Sequence, residues 1–297
     1  MNDLWTIKRA LEWTVQYFQK NDVPEPRLSA ELLLAGVLGC RRIDLYLQFE
    51  RILTPGERAA YREYIKRRLR REPVQYILGE AEFYGLSLKV TPAVLIPRPE
   101  TELLVEKALE EARRFGTRPL RILDVGTGSG CIIVALGKHL PEAELWAVDS
   151  SAAALEVARE NALRHQLEVH FLEGRFEAVA PDLPAPFQLI VSNPPYISEQ
   201  EKALLQPEVV QFEPAEALFA APDALAAYRN WLPAFRKLLD EQGTILVETA
   251  YNQSDVVCQL FTEFQFQTTV VKDYQDYGRI VIARRAPAVV PKQNTIQ

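Results

Sequence analysis

From residue 120 onward, short apolar runs alternate with longer stretches of helical period. "RILDVG" reads as a strand and "GCIIVALGKHL" as a helix. "ELWAVD" is followed by the helical "SAAALEVARENALRH", and "VHFLEG" by a proline-rich loop and the buried run "FQLIVS". The helix "ALAAYRNWLPAFRKLLDEQG" leads into "TILVET", while "FQTTVVKD" and "RIVIARR" read as a closing antiparallel pair. Strands alternating with helices predict an α/β domain built on a doubly wound, mostly parallel sheet.

The first 75 or so residues have a different period. Leu4, Ile7, Leu11, Val15 and Phe18 fall at spacings of three and four, one face of an amphipathic helix. "SAELLLAGVLG" predicts a second helix, capped by Ser29 and ending near Gly39. A third opens with Thr54 as N-cap, Pro55 at the first helical position and Glu57 three residues after the cap. It runs through "ERAAYREYIKRRLRRE" and stops before Pro73. "EAEFYGLSLKVT" then predicts a hairpin turning near Gly85, and "LIPRPETELLVEKALEEARRF" a proline-flanked loop entering a long helix. The expected organisation is a helical domain over 1–78, a hairpin linker over 79–96, an α/β domain over 97–285, and a disordered tail over 286–297. That tail has no period and two prolines.

Composition narrows the function classes. With 297 residues, 48% apolar and 25% charged, the chain can bury two cores. No apolar run approaches the roughly 18 residues of a membrane span, and "MNDLWTIKRALEW" lacks a signal-peptide layout. Cys40, Cys131 and Cys258 are too scattered for a disulfide framework, and His139, His165 and His170 show no metal-ligand spacing. A cytoplasmic protein without metal or membrane association is expected, and nothing requires more than a monomer. Trp5, Trp13, Trp146 and Trp231 read as core or interface residues.

Net charge is −6, unevenly spread: residues 1–80 carry 14 Lys and Arg against 11 Asp and Glu, the remainder 20 against 29. Duplex-binding enzymes usually carry a broad basic face, so the acidic main domain argues against stable nucleic-acid binding. The basic "KRRLRR" could contact RNA but reads better as solvated cations complementing a helix C-terminus.

Two constellations carry chemistry. "LDVGTGSG" places Gly126, Thr127, Gly128, Ser129 and Gly130 on a tight strand-to-helix turn, where glycine lets a ligand approach the main chain. The spacing differs from the G-x-G-x-x-G dinucleotide turn, and no lysine follows to hold a phosphate. Asp149 ends the next strand, where an acid can accept hydrogen bonds from ribose hydroxyls; the same residue can cap the following helix. Turn, spacing and acid together point to S-adenosylmethionine.

The second is "VSNPPYI" at 191–197. Pro194 and Pro195 stiffen the strand exit and remove two backbone donors, but a rigid corner alone does not explain why Asn193 and Tyr196 flank them. An NH2 group conjugated to a carbonyl or ring is a poor nucleophile. The Asn193 side-chain oxygen and the Pro194 carbonyl can hold both its N–H bonds, aim it at a methyl donor, and favour the charge developing on nitrogen. Tyr196 can lie against the flat group. The motif therefore implies N-methylation of an adenine N6, a cytosine N4 or a glutamine amide.

"IPRPETELLV", "ILDVGTGSGCI", "AVDSSAAALEVARENA", "LIVSNPPYI" and "EPAEALFAAPDALAAYRNWL" together resemble the peptide-chain release factor glutamine N5-methyltransferases of the HemK/PrmC type, over nearly the whole chain. The resemblance implies a seven-stranded Rossmann-like methyltransferase sheet, S-adenosylmethionine as methyl donor, and the Gly-Gly-Gln loop of a release factor as substrate. It implies that Gly126, Thr127, Gly128, Ser129 and Gly130 line the cofactor's methionine portion and that Asp149 holds its ribose. Asn193 would touch cofactor and glutamine, Pro194, Pro195 and Tyr196 would complete the grip, and Arg98 and Glu100 would border the site or form a local ion pair and helix start. One segment departs from the family pattern. Where an acid and an aromatic often stand near the adenine, "EGRFEAV" puts Gly174 and Arg175; an Arg175 guanidinium can stack on a purine, and Phe176 is the neighbouring alternative. Two other readings stay open: a DNA or RNA base amino-methyltransferase, and a non-catalytic cofactor-binding interaction protein.

Overall fold

The computed structural model describes residues 4–116, 119–220 and 223–286. The chain divides into two compact units. One comprises the residues up to Ala81 with Val90–Pro92 and Leu204–Glu213; the other comprises Glu82–Lys89, Ala93–Ala203 and the chain from Pro214 onward.

In the first unit, α1 (Ile7–Lys20), α2 (Pro26–Leu38), α3 (Arg42–Leu47), α4 (Pro55–Leu69) and α5 (Val74–Leu78) enclose a core of Phe18, Leu33, Leu34 and Leu45. The buried face of α1 is Ile7, Ala10, Leu11, Thr14 and Phe18. Thr14, not Val15, takes the inner position because its hydroxyl donates to the Ala10 carbonyl at 2.8 Å and so needs no water; Leu4 precedes the helix and is exposed. The second helix starts three residues before the expected cap. Glu25 in left-handed conformation precedes Pro26, whose fixed φ suits the first turn, and Ser29 lies inside the helix. The Thr54–Glu57 capping box on α4 forms as read, each side chain satisfying the other's backbone N–H.

The basic run at the end of α4 is solvated only in part: Lys66 and Arg70 stay exposed as read, and Arg67, Arg68 and Arg71 meet carboxylates. Arg67 meets Glu72 at 2.5 Å, and Arg68 and Arg71 meet Glu208 at 3.2 and 3.3 Å. Arg68 and Glu208 are both buried, which a sequence separation of 140 residues conceals. Glu208 lies on α10 (Pro207–Phe212), the later segment that belongs to this unit.

A hairpin follows, β1 (Glu80–Phe83) and β2 (Leu86–Lys89). Tyr84 and Gly85 both have positive φ, 50° and 72°, as a two-residue hairpin turn requires.

The second unit holds a seven-stranded sheet in the order β5-β4-β3-β6-β7-β9-β8. Its strands are β3 (Arg121–Val125), β4 (Glu144–Asp149), β5 (Val169–Glu173), β6 (Phe187–Ser192), β7 (Leu239–Glu248), β8 (Phe266–Lys272) and β9 (Gly278–Arg285). The first five are parallel, and β9 pairs antiparallel with both β7 and β8. The helices are α6 (Pro99–Ala112), α7 (Cys131–His139), α8 (Ala152–Arg164), α9 (Phe176–Val179), α11 (Ala215–Leu218), α12 (Ala226–Leu238) and α13 (Ser254–Glu263). Two separate apolar clusters pack against the sheet. One joins α6 and α7 to the sheet through Leu104, Ile133 and Leu189; the other joins α12 and α13 through Phe235, Phe261 and Ile190. This is the doubly wound, mostly parallel α/β fold that the alternating pattern implies.

One boundary differs. The helix expected through Gly243 ends at Leu238, because Leu239 already pairs with Phe187. The polar residues Asp240–Gln242 extend β7 across a register shift, which masks the strand in the hydrophobic pattern. Of the tail read over 286–297, Ala286 donates to the Gln265 carbonyl, and the rest lies outside the described residues.

Candidate active site

The carboxyl ends of β3, β4, β6 and β7 deliver Asp124, Asp149, Asn193 and Glu248 to one edge of the sheet, where open α/β folds bind ligands. A cavity of about 550 Å³ opens there, within the usual range of small-molecule sites.

The glycine turn forms one wall. Gly126 and Thr127 donate to the Val148 carbonyl at 2.9 and 3.1 Å, tying the turn to β4. Gly128 and Gly130 hold φ of 54° and 78°, values that side chains with a Cβ resist. A Cβ on Gly130 would stand 3.2 Å from the Ala158 Cβ, whereas one on Gly128 would meet open space. Asn161, fully buried on α8, braces the turn by donating to the Ser129 carbonyl at 2.9 Å and the Lys89 carbonyl at 3.0 Å.

Asp124 is fully buried beneath this turn and accepts the Thr127 hydroxyl at 2.7 Å. Its other oxygen has no hydrogen-bond partner among the described residues. Burial pushes its carboxyl up to about 7. Asp149 accepts the Gly128 N–H at 2.8 Å through one oxygen and the Ser151 N–H at 2.9 Å through the other. Burial raises its pKa as well, against the opposing pull of those N–H donors. Each oxygen retains a second lone pair, so the carboxylate can still accept from a ligand.

Of the residues singled out in the sequence, Arg98, Gly126, Thr127, Gly128, Ser129, Asp149, Arg175, Phe176, Asn193 and Pro195 line this one cavity. Gly130, Pro194, Tyr196 and Glu100 do not line it; Gly130 packs on α8 and Glu100 is exposed in the first turn of α6. The Arg175 side chain is largely exposed and pairs with Glu177 at 3.2 Å. The Phe176 ring is buried, edge-on to Trp231 and tilted against Phe235. Trp231, read from sequence as core or interface, also borders the cavity, together with Asn230 and Glu216.

Sequence reasoning missed the support of the double-proline corner. Asn193 Nδ2 donates to Thr101 Oγ1 at 3.2 Å, and Thr101 donates to Glu248 Oε2 at 2.7 Å. The Tyr196 hydroxyl meets Glu248 Oε1 at 3.3 Å, and the Tyr228 hydroxyl donates to the Glu248 main-chain carbonyl at 2.7 Å. Glu248 is about 1% exposed, and burial pushes it up to about 7; burial also raises the Tyr196 phenol. The signal was present: an acid ending the apolar run "TILVE" beside the strand that carries Asn193. Past the corner, Ile197 bridges to Phe219 and so brings a further stretch of the cavity wall back to it.

A seven-stranded sheet of this order with a glycine-walled cavity at its carboxyl edge defines an α/β methyltransferase domain, and the model of the methyltransferase small domain matches residues 99–217. The model of the PrmC N-terminal domain matches residues 9–79. Release factor glutamine methyltransferases from Geobacter sulfurreducens and Chlorobaculum tepidum are each 43% identical to this chain. These alignments cover 89% of the chain and 91% of the first relative, and 93% and 96% for the second. A third relative of that name, from Koribacter versatilis, is 41% identical over 94% of the chain and 99% of its own length. The chain belongs to the release factor glutamine methyltransferase family.

Proposed function

We propose that this enzyme transfers a methyl group from S-adenosylmethionine to the side-chain amide nitrogen, N5, of the glutamine in the Gly-Gly-Gln loop of a peptide-chain release factor. The observation that carries the reading is the convergence of Asn193 and Pro195 with the glycine turn and Asp149 on one cavity, in a chain whose near full-length relatives bear that name.

The donor set fits the cofactor. Asp149 keeps lone pairs for ribose hydroxyls, the Gly126–Gly130 turn offers close main-chain approach to the methionine portion, and the cavity volume admits a nucleoside with its amino-acid arm. Arg175 and Phe176 stand on the adenine side of this assignment. When bound, the group supplies an electrophilic methyl on a sulfonium centre.

The protein's own residues do the rest. The two N–H bonds of the glutamine amide are assigned to the Asn193 side-chain oxygen, on the cavity wall, and to the carbonyl of Pro194, which stands between two lining residues without itself lining the cavity; together they hold the nitrogen in line with the donor. As the nitrogen lone pair is drawn out of conjugation, the same two oxygens stabilise the positive charge forming there. Tyr196 fixes the outer side of the corner, and Arg98 borders the substrate entrance, while Glu100, off the cavity wall, keeps the role of an acid in the first turn of α6. No strong base is required, because the alkylated nitrogen is acidic and releases its proton after transfer. Residues 1–78 are assigned to substrate recognition, 79–96 to the linker and 97–285 to catalysis. A cytoplasmic monomer with no stable nucleic-acid or membrane partner completes the reading; among the described residues, no helix is long and apolar enough to cross a membrane.

The test offers labelled methyl donor with purified release factor, with the same factor carrying a replaced loop glutamine, and with DNA or RNA. Label on the intact factor alone is expected. Label on nucleic acid and not on protein overturns the substrate, and cofactor binding without transfer to anything overturns the enzyme.

A further inference from the structure

The corner that carries Asn193 is held from behind by one buried carboxylate, and the direction of each hydrogen bond in that support has a consequence for the reaction. An ionised carboxylate only accepts. The Thr101 hydroxyl has a single proton, and it goes to Glu248 Oε2 at 2.7 Å. Toward Asn193, Thr101 therefore presents lone pairs only, and the amide must turn its NH2 to them, which is the 3.2 Å contact observed. The opposite orientation would set the Asn193 oxygen against the Thr101 oxygen, two acceptors face to face in a buried site.

We propose that Glu248 is a positioning residue for methyl transfer: acting through Thr101, it turns the Asn193 side-chain amide so that its oxygen, not its nitrogen, is presented to the cavity. The inference rests on the glutamine N-methylation reading, in which that oxygen accepts an N–H of the substrate amide.

Three further observations support it. The second oxygen of the same carboxylate takes the Tyr196 hydroxyl at 3.3 Å, so one side chain fixes both residues flanking the double proline. The Glu248 main chain is itself pinned by the Tyr228 hydroxyl from α12 at 2.7 Å. Glu248 is almost fully buried and does not line the cavity, so it acts through its neighbours and not on the substrate.

The arrangement is also switchable. Burial pushes Glu248 up to about 7. Once protonated, it can donate to Thr101, whose proton is then free to turn to the Asn193 oxygen, reversing the amide. The charged and titratable groups facing the carboxyl are Tyr196 on the corner, Tyr228 on α12, Arg279 on β9, Glu100 on α6 and Cys131 on α7. Arg279 favours the ionised form, Glu100 opposes it, and Arg279 is itself paired with Asp273 at 2.9 Å.

The experiment combines kinetics with an observation of the amide itself. Thr101→Val, which keeps the shape and removes the hydroxyl, is expected to lower kcat about 10- to 100-fold while leaving the KM for S-adenosylmethionine within about threefold. Thr101→Ser is expected to restore most of the rate. Glu248→Gln, which can present either an oxygen or an NH2 to Thr101, is expected to lower kcat about 5- to 20-fold and to flatten its fall below neutral pH. In asparagine-labelled protein, the Asn193 NH2 resonances should move with a midpoint near 7 in the wild type and stay fixed in Glu248→Gln. Wild-type kcat in Thr101→Val overturns the proposal, as does an Asn193 signal indifferent to both pH and Glu248→Gln. Absence of methyl transfer by the wild type would instead defeat the substrate reading, and the resonance experiment would still decide the positioning.

Discussion

Gly128 and Gly130 stand two residues apart in one turn, yet the structure requires glycine at each for a different reason. Replacing either with alanine forces a Cβ into a left-handed conformation, φ 54° and 78° respectively, at a cost of about 1–2 kcal/mol. At Gly128 that is the whole conformational cost, since the added carbon meets nothing within 4 Å. At Gly130 the carbon lands 3.2 Å from the Ala158 Cβ and 3.3 Å from its Cα. Ala158 is fully buried on α8, so the helix must shift, adding about 1–3 kcal/mol. Gly130→Ala should therefore lose about 2–5 kcal/mol, a fall in Tm of roughly 5–15 °C, against roughly 2–6 °C for Gly128→Ala. Binding should rank the other way. Gly128 lines the cavity and Gly130 does not, so Gly128→Ala should weaken S-adenosylmethionine binding by an order of magnitude or more, and Gly130→Ala should bind within about threefold of wild type while folded. Scanning calorimetry and titration calorimetry on the two variants decide the matter. A Gly130→Ala protein that melts no lower than Gly128→Ala, or a Gly128→Ala protein with undiminished affinity, refutes the division of labour.

Asn193→Ala should keep the fold, because the side chain is only partly buried, yet lose most turnover; a single-turnover rate near wild type would contradict its role as acceptor. Stability should fall as pH rises from about 4 to about 7. In that window buried Asp124 and Glu248 hold protons in the folded state that the unfolded chain has released, so the folded state binds more protons and the slope is negative. Asp124→Asn should remove part of that slope and stabilise the protein at pH 8 by roughly 2–4 kcal/mol, measured by denaturant unfolding; an unchanged slope would show that the burial is relieved by water. Arg68→Ala leaves Glu208 with Arg71 alone and should cost about 3 kcal/mol, visible as a lower midpoint in urea.

The order of strands and helices was legible because their periods are local. So was the gathering of residues at the sheet edge: a glycine turn, Asp149 and Asn193 each announce themselves within a few residues, and all line one cavity. What sequence does not display is the polar support that joins distant segments. Thr101 and Glu248 are separated by 147 positions and Arg68 and Glu208 by 140; neither pairing is visible in the local pattern around its two members. The strand start at Leu239 was hidden for a related reason. Asp240, Glu241 and Gln242 break the apolar run, and only pairing of Leu239 with Phe187 reveals the strand. The resemblance supplied the substrate, which no spacing in this chain specifies.

The return of Leu204–Glu213 to the helical unit bears on any attempt to graft that unit onto another enzyme. A fragment cut after Pro92 would carry Arg68 without the carboxylate that neutralises it, leaving a guanidinium either stranded or forced out to water with the packing around it disturbed. Recombination that respects the folded unit must therefore transfer two separate stretches of gene, or replace Arg68 with an apolar side chain in the same step.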